Sequence, residues 1–414
     1  MFRRHCASRW TLAAFVILSG FARPRQNPFP EIGRIHLNDR LAALGQPLIK
    51  ELSVYALSFS PDGSRLAIQF GEDIDRYVVR VGQVKRQYLL VVSTADPDTT
   101  IYWTEPAKLG FARVDQRAEP AWSPDGNVLV FATVLIRVPG GEACRFPGGF
   151  RGFLSADRVL VTVASTSTSQ TLGVADEQCR LQERWHADHH FAVRVSPNGS
   201  RIALLAPHFD HPDVINTSRS DLFILPGLPP LPKAREAVAS GQIDLAGARK
   251  VRAGGHGIGG SGMVFVDNAV CGAFEVTGIA IRATDGSSLN GRKAKVACWD
   301  AQTGRPVRET PPLWSAEDIV ISAGGGRVAV SDGGKGSRAS RNGPSALPVP
   351  QLRGIWELKS GKMLATWSPD PDGSAPDIQP IARRGFAISS DGRILAESGD
   401  DSVLLYRLPE PMRH

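Results

Sequence analysis

Histidine and aspartate side chains are concentrated in one short part of the chain. Of the nine histidines, five lie between positions 186 and 211. The cluster consists of His186, Asp188, His189, His190, His208, Asp210, His211 and Asp213. Imidazole and carboxylate groups together suit zinc or a similar divalent ion, and an incomplete protein shell leaves a position for water or substrate. The candidate metal ligands are His189, His190, His208, Asp210 and His211.

The sequence contains no established metal-binding, dinucleotide-binding or nucleophile motif in the structural context that such a motif requires. The histidine spacing matches no known metal motif, and loop histidines are often only solvated. The glycine-rich stretch at residues 255–260 fits a dinucleotide pattern, but it leads into a strand, so no helix dipole would face a phosphate. The sequence contains no Gly-x-Ser-x-Gly nucleophile motif. We therefore name no catalytic residue and no cofactor-binding residue.

A repeated turn sequence positions the histidines. It reads Ser-Pro-Asp-Gly at residues 60–63 and 123–126, Ser-Pro-Asn-Gly at 196–199 and Ser-Ser-Asp-Gly at 389–392. Each copy lies between two apolar runs, and its glycine tolerates positive φ, so each predicts a β-hairpin. One histidine group precedes the third of these hairpins and the other follows it. Because the strands are antiparallel, both groups should return to one rim, together with His256.

Weaker copies raise the number of hairpins to seven. They lie at residues 153–161, 264–271 and 319–330, where the turn residues differ but both strands are kept. Repeats of this kind need about 40 to 50 residues each, so the longer intervals predict insertions at 226–255, 331–353 and 366–384. Residues 233–243 favour one short surface helix within the first insertion.

The chain resembles the WD-repeat family of β-propellers, and the turn at 123–126 equally resembles the PD-type repeats of the bacterial Tol-system propeller. Further support comes from Val-Ala-Cys-Trp-Asp at 296–300 and Gly-Ile-Trp-Glu-Leu at 354–358, where the family has its third strand. The resemblance covers most of residues 53–410. It implies an all-β fold, a propeller of seven blades with four antiparallel strands each, in a secreted bacterial member of the family. Rim histidines of WD-repeat proteins commonly hydrogen-bond within their own blade.

We expect the last blade to take its fourth strand from elsewhere in the chain. Residues 402–408 are the last predicted strand, and six residues follow them in the sequence. The segment at 23–52 precedes the first repeat, and either residues 32–37 or residues 47–54 could pair there and close the ring. Closure would also seal an edge that is otherwise prone to aggregate.

The N-terminus has the pattern of a secretory signal peptide. Three arginines precede an apolar run at residues 10–18, and small residues follow at 19–22. This run is shorter than the ~20 residues that span a bilayer. We therefore expect residues 1–22 to be removed and the mature chain, without a transmembrane span, to be periplasmic or secreted.

The expected mature chain carries a small positive net charge. Removing three arginines and no acids lowers the net charge from +7 to +4 (7 − 3 = 4), and the basic residues are scattered, so nucleic acid is not a favoured partner.

Four cysteines remain in the mature chain. Cys271 and Cys298 fall on neighbouring strands of one blade and would either form a disulfide or remain buried thiols. Cys144 and Cys179 occupy outer positions of consecutive blades, which predicts a separation too large for a bond.

The sequence favours a binding protein over an enzyme. A non-catalytic, monomeric platform that binds a protein or peptide at the cell envelope or outside the cell fits a rigid ring with extended loops. A scaffold with several partners would differ only in their number. The alternative is a propeller enzyme, a lactonase or metal-dependent hydrolase, in which His189, His190, His208 and Asp210 would be the first candidates.

Overall fold

The computed structural model describes most of the chain. The described residues are 27–50, 52–72, 86–105, 119–141, 143–166, 168–211, 214–229, 239–243, 245, 247–253, 256–257, 263–276, 281–282, 288–289, 293–311, 314–315, 319–331, 352–368, 385–399 and 401–410. The expected signal peptide lies outside them, as do nearly all of the expected insertions at 331–353 and 366–384.

Strand β1 and helix α1 precede the first three blades. Their bounds are Glu31–His36 for β1 and Leu37–Ala43 for α1. Blade one contains β2 (Leu52–Phe59), β3 (Arg65–Glu72), β4 (Gln87–Ser93) and β5 (Thr100–Thr104). Blade two contains β6 (Ala121–Trp122), β7 (Val128–Phe131), β8 (Val134–Arg137) and β9 (Ala143–Arg145). Blade three contains β10 (Gly149–Phe153), β11 (Arg158–Ser165), β12 (Gln170–Asp176) and β13 (Leu181–Ala187).

The next two blades carry additional short strands. Blade four contains β14 (Ala192–Val195), β15 (Ile202–His211), β16 (Val214–Leu225) and, after β17 (Ala239–Gln242), strand β18 (Arg249–Ala253). Strand β19 (His256–Gly257) precedes blade five, which contains β20 (Met263–Val266) and β21 (Ala269–Val276). A separate two-stranded sheet follows, formed by β22 (Ile281–Arg282) and β23 (Ser288–Leu289). Blade five continues with β24 (Lys293–Asp300), β25 (Pro306–Glu309) and β26 (Trp314–Ser315).

Two blades complete the ring. Blade six contains β27 (Val320–Gly324), β28 (Arg327–Ser331), β29 (Arg353–Glu357) and β30 (Lys362–Trp367). Blade seven contains β31 (Phe386–Ile388), β32 (Ile394–Ser398) and β33 (Ser402–Arg407). Its fourth strand is β1, which pairs antiparallel with β33. The described residues thus form the expected seven-bladed β-propeller, with four antiparallel strands in each blade.

Closure of the ring uses the first of the two segments that the sequence offered. Ile35 pairs with Val403 and Arg34 with Leu404, which fixes β1 at the outer edge of blade seven. Residues of the second segment begin β2, the innermost strand of blade one. Helix α1 then packs Leu37 and Leu41, one helical turn apart, into the core between the last blade and the first.

The core is divided among the seven blade interfaces. Strand β7 shows why each blade contributes to two interfaces. Leu129 and Phe131 pack toward blade one, whereas Val130 between them packs toward blade three. Side chains alternate across a strand, so a strand between two neighbours must be apolar on both faces. Each fully buried Val, Leu or Phe contributes about 1.5–3 kcal/mol of hydrophobic stabilisation. The ring is therefore held by contacts between neighbouring blades rather than by one central core.

The repeated turns adopt one conformation, which the copy at residues 60–63 illustrates. The Ser60 hydroxyl donates to Asp62 at 2.6 Å and accepts from the backbone N–H of Arg65 at 2.9 Å. Gly63 has a φ of 72°, in the left-handed region. Hydrogen bonds from the hydroxyls of Ser60 and Ser64 lower the pKa of Asp62 to about 2. The sequence motif is thus a structural device that joins the first two strands of a blade.

A close approach of two turns explains the glycines of blade six. A Cβ on Gly324 would lie 1.9 Å from the carbonyl oxygen of Ser389 in the turn of blade seven, and a Cβ on Gly325 would lie 2.2 Å from that of Asp391. Those distances are too short for any side chain. The turn aspartate of the other repeats is absent here because the backbone of the neighbouring turn occupies the space.

The expected short helix at residues 233–243 is wrong over its C-terminal part. Residues 239–242 form β17, which pairs parallel with β13 at the outer edge of blade three. The pairing supplies hydrogen-bond partners to an edge strand, and that tertiary gain outweighs the local helix preference of alanine. Residues 230–238 lie outside the described part of the chain.

Candidate binding site on the loop face

Strand direction places the candidate residues on one side of the ring. In every blade the innermost strand runs toward the repeated turn, so the turns at residues 60–63, 123–126, 196–199 and 389–392 share one face, the turn face. The opposite side is the loop face, which we define by residues 119, 186–191, 207–211 and 214–219. Both histidine groups and His256 have their backbones there, at the ends of β13, β15 and β21, as the sequence predicts.

The first histidine group is exposed and only loosely connected. The Nε2 atom of His186 lies 3.4 Å from Oδ1 of Asp188, and the side-chain amide of Gln242 donates to Oδ2 of Asp188 at 3.0 Å. The ring of His189 packs edge-on against Phe191 at 6.0 Å between centroids. His190 is exposed. Asp188 thus holds β17 and the end of β13 together, whereas His189 and His190 face solvent.

The second group is described by its backbone alone. His208 pairs with Asn216 and His211 with Val214 in the hairpin of β15 and β16, and Asp210 lies between them. The side chains of these residues and the whole of Asp213 lie outside what the structure describes. Among the described residues, no group of three or more His, Cys, Asp or Glu side chains could hold a metal ion. The metal site formed by His189, His190, His208, Asp210 and His211 remains a prediction.

The hairpin of β15 and β16 extends beyond the rest of its blade. Strand β14 pairs with β15 only as far as Leu205, and β18 pairs with β16 only as far as Ser220. The two central strands remain paired with each other up to His211 and Val214. We call this extension, residues 207–211 and 214–219, the arm. Within the described chain, the outer edges of the arm are not hydrogen-bonded to β14 or β18.

Two arginines on inner strands form a charged group that the sequence analysis missed. Arg151 lies on β10 of blade three and Arg194 on β14 of blade four. The guanidinium of Arg194 lies 3.9 Å from the carboxylate of Glu119, which precedes β6 of blade two. Blades two and four are not neighbours, so this pair passes the inner side of blade three, where Arg151 lies. Arg194 therefore reaches Glu119 along the inner side of the ring, and its charge also acts on Arg151.

A buried polar network connects Arg151 to the histidine loop. The Nε–H of Arg151 donates to the hydroxyl of Thr162 at 2.7 Å, and the side-chain amide of Gln170 donates to the same hydroxyl at 2.9 Å. The side-chain oxygen Oε1 of Gln170 accepts from the backbone N–H of Phe191 at 3.1 Å. Thr162 and Gln170 are buried. The network fixes the orientation of Arg151 and ties it to the loop that carries His189 and His190.

The electrostatic surroundings of Arg151 disfavour its charge. Burial lowers the pKa of Arg151, and the nearby charge of Arg194 lowers it further. Among the described residues, no carboxylate forms an ion pair with Arg151. An arginine side chain stays protonated in proteins, so within the described part of the chain the site carries two guanidinium charges, and Glu119 pairs with one of them, Arg194.

The structure contains two disulfides. Cys271 and Cys298 lie directly opposite each other on β21 and β24 and are bonded, both fully buried. The expectation that Cys144 and Cys179 are too far apart is wrong, because their Cα atoms are 5.9 Å apart and the sulfurs are bonded. Cys179 lies in the turn after β12, and that turn reaches across to β9 of blade two. An ion pair between Arg137 and Glu177, at 3.6 Å, joins the same two blades.

Among the described residues, no helix has both the length and the apolar character that crossing a membrane requires.

Two solved structures resemble this chain at low sequence identity. No protein-family model matches the chain, and no curated protein matches it. Among solved structures, a chain in the crystal structure of the mitotic checkpoint complex is 13% identical, with a TM-score of 0.47 and coverage of 98% of this chain and 99% of that chain. The C-terminal WD40 domain of Sif2 is 11% identical, with a TM-score of 0.43 and coverage of 86% and 82%. The propeller assignment therefore rests on the sheet topology itself.

Proposed function

We propose that this propeller is a non-catalytic binding platform that holds a protein or peptide partner on its loop face. The main support for this proposal is the arm, the extension of the β15–β16 hairpin. Its two strands leave the four-stranded part of blade four and present backbone edges that β14 and β18 do not cover. An extended peptide can add to such an edge through main-chain hydrogen bonds.

The rigid ring supports this use of the loop face. In the part of the chain that the structure describes, inner strands of neighbouring blades contact one another at six of the seven blade junctions, and β1 covers the outer edge of blade seven. A closed ring loses little conformational freedom when a partner binds, so the ordering cost of association is small. His189 and His190 are exposed on the same face, in the loop that leads into β14 of the blade that carries the arm, where they can contact a partner directly.

The test of the platform is a comparison of two crosslinking positions in blade four. A photo-activatable amino acid replaces His189 on the loop face or Pro197 on the turn face, both of which are exposed. We expect a discrete crosslinked species from the His189 position in cell-envelope extracts and none from Pro197. Equal crosslinking at the two positions, or none at either, would contradict the proposal.

We further propose that the protein works at the cell envelope or outside the cell. Every cysteine beyond residue 22 takes part in a disulfide. Disulfides persist in oxidising compartments and are rare where thiols are kept reduced. This cysteine usage supports the proposal together with the signal-peptide pattern at residues 1–22.

The disulfide between blades two and three should matter for stability. Replacing Cys144 and Cys179 by alanine should lower the free energy of unfolding by about 3–4 kcal/mol, because the bond closes a long loop in the unfolded chain. Urea unfolding of the oxidised protein and the double variant measures the difference. Alkylation of unreduced protein taken from cells gives the control, and we expect no free thiol in the mature chain. Reactive thiols at these positions would argue against an oxidising location.

The enzyme alternative makes a different prediction. A metal-dependent hydrolase built on His189, His190, His208 and Asp210 would need a bound metal near those side chains. Of these residues, only His189 and His190 have described side chains, and both are exposed. The metal content of the purified mature chain separates the alternatives, because the binding platform needs no metal.

A further inference from the structure

Arg151 and Arg194, the two arginines on inner strands, are each held through the Nε atom of the guanidinium group. Arg194 donates from its Nε–H to the backbone carbonyl of Met263 at 3.2 Å, which anchors it to blade five. Arg151 is anchored in the same way, through Nε, to Thr162. Anchoring through Nε leaves the two terminal nitrogens of each guanidinium to face other groups. These terminal nitrogens form the planar fork that binds a carboxylate through two hydrogen bonds.

Among the residues that the structure describes, the two arginines have one carboxylate neighbour, and it pairs with Arg194 alone. Glu119 lies at 3.9 Å from Arg194, which is the upper limit of an ion pair, and both side chains are partly exposed. For Arg151, the described residues provide the Thr162 hydroxyl as its hydrogen-bond partner. Arg151 is partly removed from water and lies near the like charge of Arg194, which raises the free energy of the unliganded protein. An incoming anion would remove that cost.

The arginines also lie where an extended partner would pass. The network through Thr162 and Gln170 ends at the backbone of Phe191, next to His189 on the loop face. The arm rises from the same blade as Arg194. A peptide held on the loop face can therefore place one side chain toward the ring axis. Elsewhere the basic residues are scattered, which does not favour a long polyanion.

We propose that Arg151 and Arg194 bind a carboxylate of the peptide partner at the loop-face end of the central channel. This inference rests on the proposed function and names the chemistry of its partner. The carboxylate can come from an aspartate or glutamate side chain or from a peptide C-terminus. Both sources present the same two oxygens to the forked guanidinium donors.

The test is direct binding of synthetic peptides, measured by calorimetry. The first probe is a short Asp/Glu-rich peptide with blocked ends, the second its Asn/Gln counterpart, and the third that neutral peptide with a free C-terminal carboxylate. We expect the first or the third probe to bind and the second not to bind. Arg151→Gln should weaken binding by about tenfold or more, because a hydrogen bond to a charged group is worth about 1.5–3 kcal/mol and each 1.4 kcal/mol is tenfold.

Arg158→Gln is the matched control. Arg158 lies on the same blade, is exposed and pairs with Glu183 at 2.6 Å, away from the inner strands. The control removes the same charge and should leave binding unchanged. The melting temperatures of Arg151→Gln and Arg158→Gln show whether both variants keep the fold, because Arg151→Gln also removes the hydrogen bond to Thr162. If Arg151→Gln fails to fold, Arg194→Gln provides the same comparison.

The outcomes distinguish this inference from the platform itself. Binding of neither carboxylate probe, or equal weakening by Arg151→Gln and Arg158→Gln, overturns the carboxylate site. Binding of a single-stranded oligonucleotide with the same dependence on Arg151, in place of the peptides, also overturns it. In each case a crosslink at His189 would still uphold the platform, whereas loss of that crosslink alone would leave the carboxylate site standing.

Discussion

Deletion of residues 27–50 should abolish the folded ring. Strand β1 is the fourth strand of blade seven, and this segment buries Ile35, Leu37, Leu41 and Ile49 at 0%, 0%, 1% and 2% exposure. At about 1.5–3 kcal/mol for each buried side chain, the loss approaches the ~5–15 kcal/mol that stabilises a typical protein. The deletion also exposes the edge of β33, which should promote aggregation. Circular dichroism and light scattering of the shortened chain measure both effects.

A matched pair of point variants on β1 makes this prediction quantitative. Ile35 is fully buried, whereas Ile32 on the same strand is 40% exposed. Ile35→Ala should lower the free energy of unfolding by about 2–5 kcal/mol, as large-to-small core substitutions do. Ile32→Ala should cost less than about 1 kcal/mol. Equal melting temperatures for the two variants would mean that β1 does not close the ring in solution.

Substitution of Glu397 by alanine should be the most damaging single change outside β1. Glu397 forms an ion pair with Arg353, and the two side chains are 5% and 0% exposed. The Trp367 indole N–H donates to the same carboxylate at 3.2 Å, and the Asn27 amide donates to it at 2.7 Å. Removing the carboxylate leaves a buried guanidinium without a counter-ion, which costs about 3–5 kcal/mol. Urea unfolding of the variant measures this loss.

Two further variants separate the charge effect from packing. Replacing both partners, with Arg353→Met and Glu397→Leu, removes the unpaired charge and should recover most of the lost stability. The exposed pair of Arg34 and Glu31, at 46% and 38% side-chain exposure, is the comparison, and Glu31→Ala should cost less than about 1 kcal/mol. A double variant as unstable as Glu397→Ala would show that packing, and not charge, dominates at this site.

The elements that follow from local sequence were predictable. The turn at residues 60–63 recurs with the same serine, aspartate and glycine roles, and the structure places each full copy between the first two strands of a blade. Trp299 and Trp356 lie on third strands, where the family resemblance put them. These features depend on residues close together in the chain, whose turn chemistry and alternation are visible without the fold.

The elements that depend on the ring geometry were not predictable. Arg151 and Arg194 are separated by a full repeat, and nothing in their spacing shows that an ion pair of Arg194 crosses blade three. The disulfide of Cys144 and Cys179 depends on where a turn of one blade meets the outer strand of another. The pairing of β17 with β13 is parallel and long-range, so no hairpin signal marks it. Such contacts require the relative placement of the blades.

The most direct test of the account is a map of crosslinking yield over both faces of the ring. Loop-face positions are His189 and His190, and turn-face positions are the exposed prolines of three repeated turns, Pro61, Pro124 and Pro197. We expect one partner to be crosslinked from the loop-face positions and none from the three prolines. Capture of the partner from the prolines, with no product from His189 or His190, would contradict it.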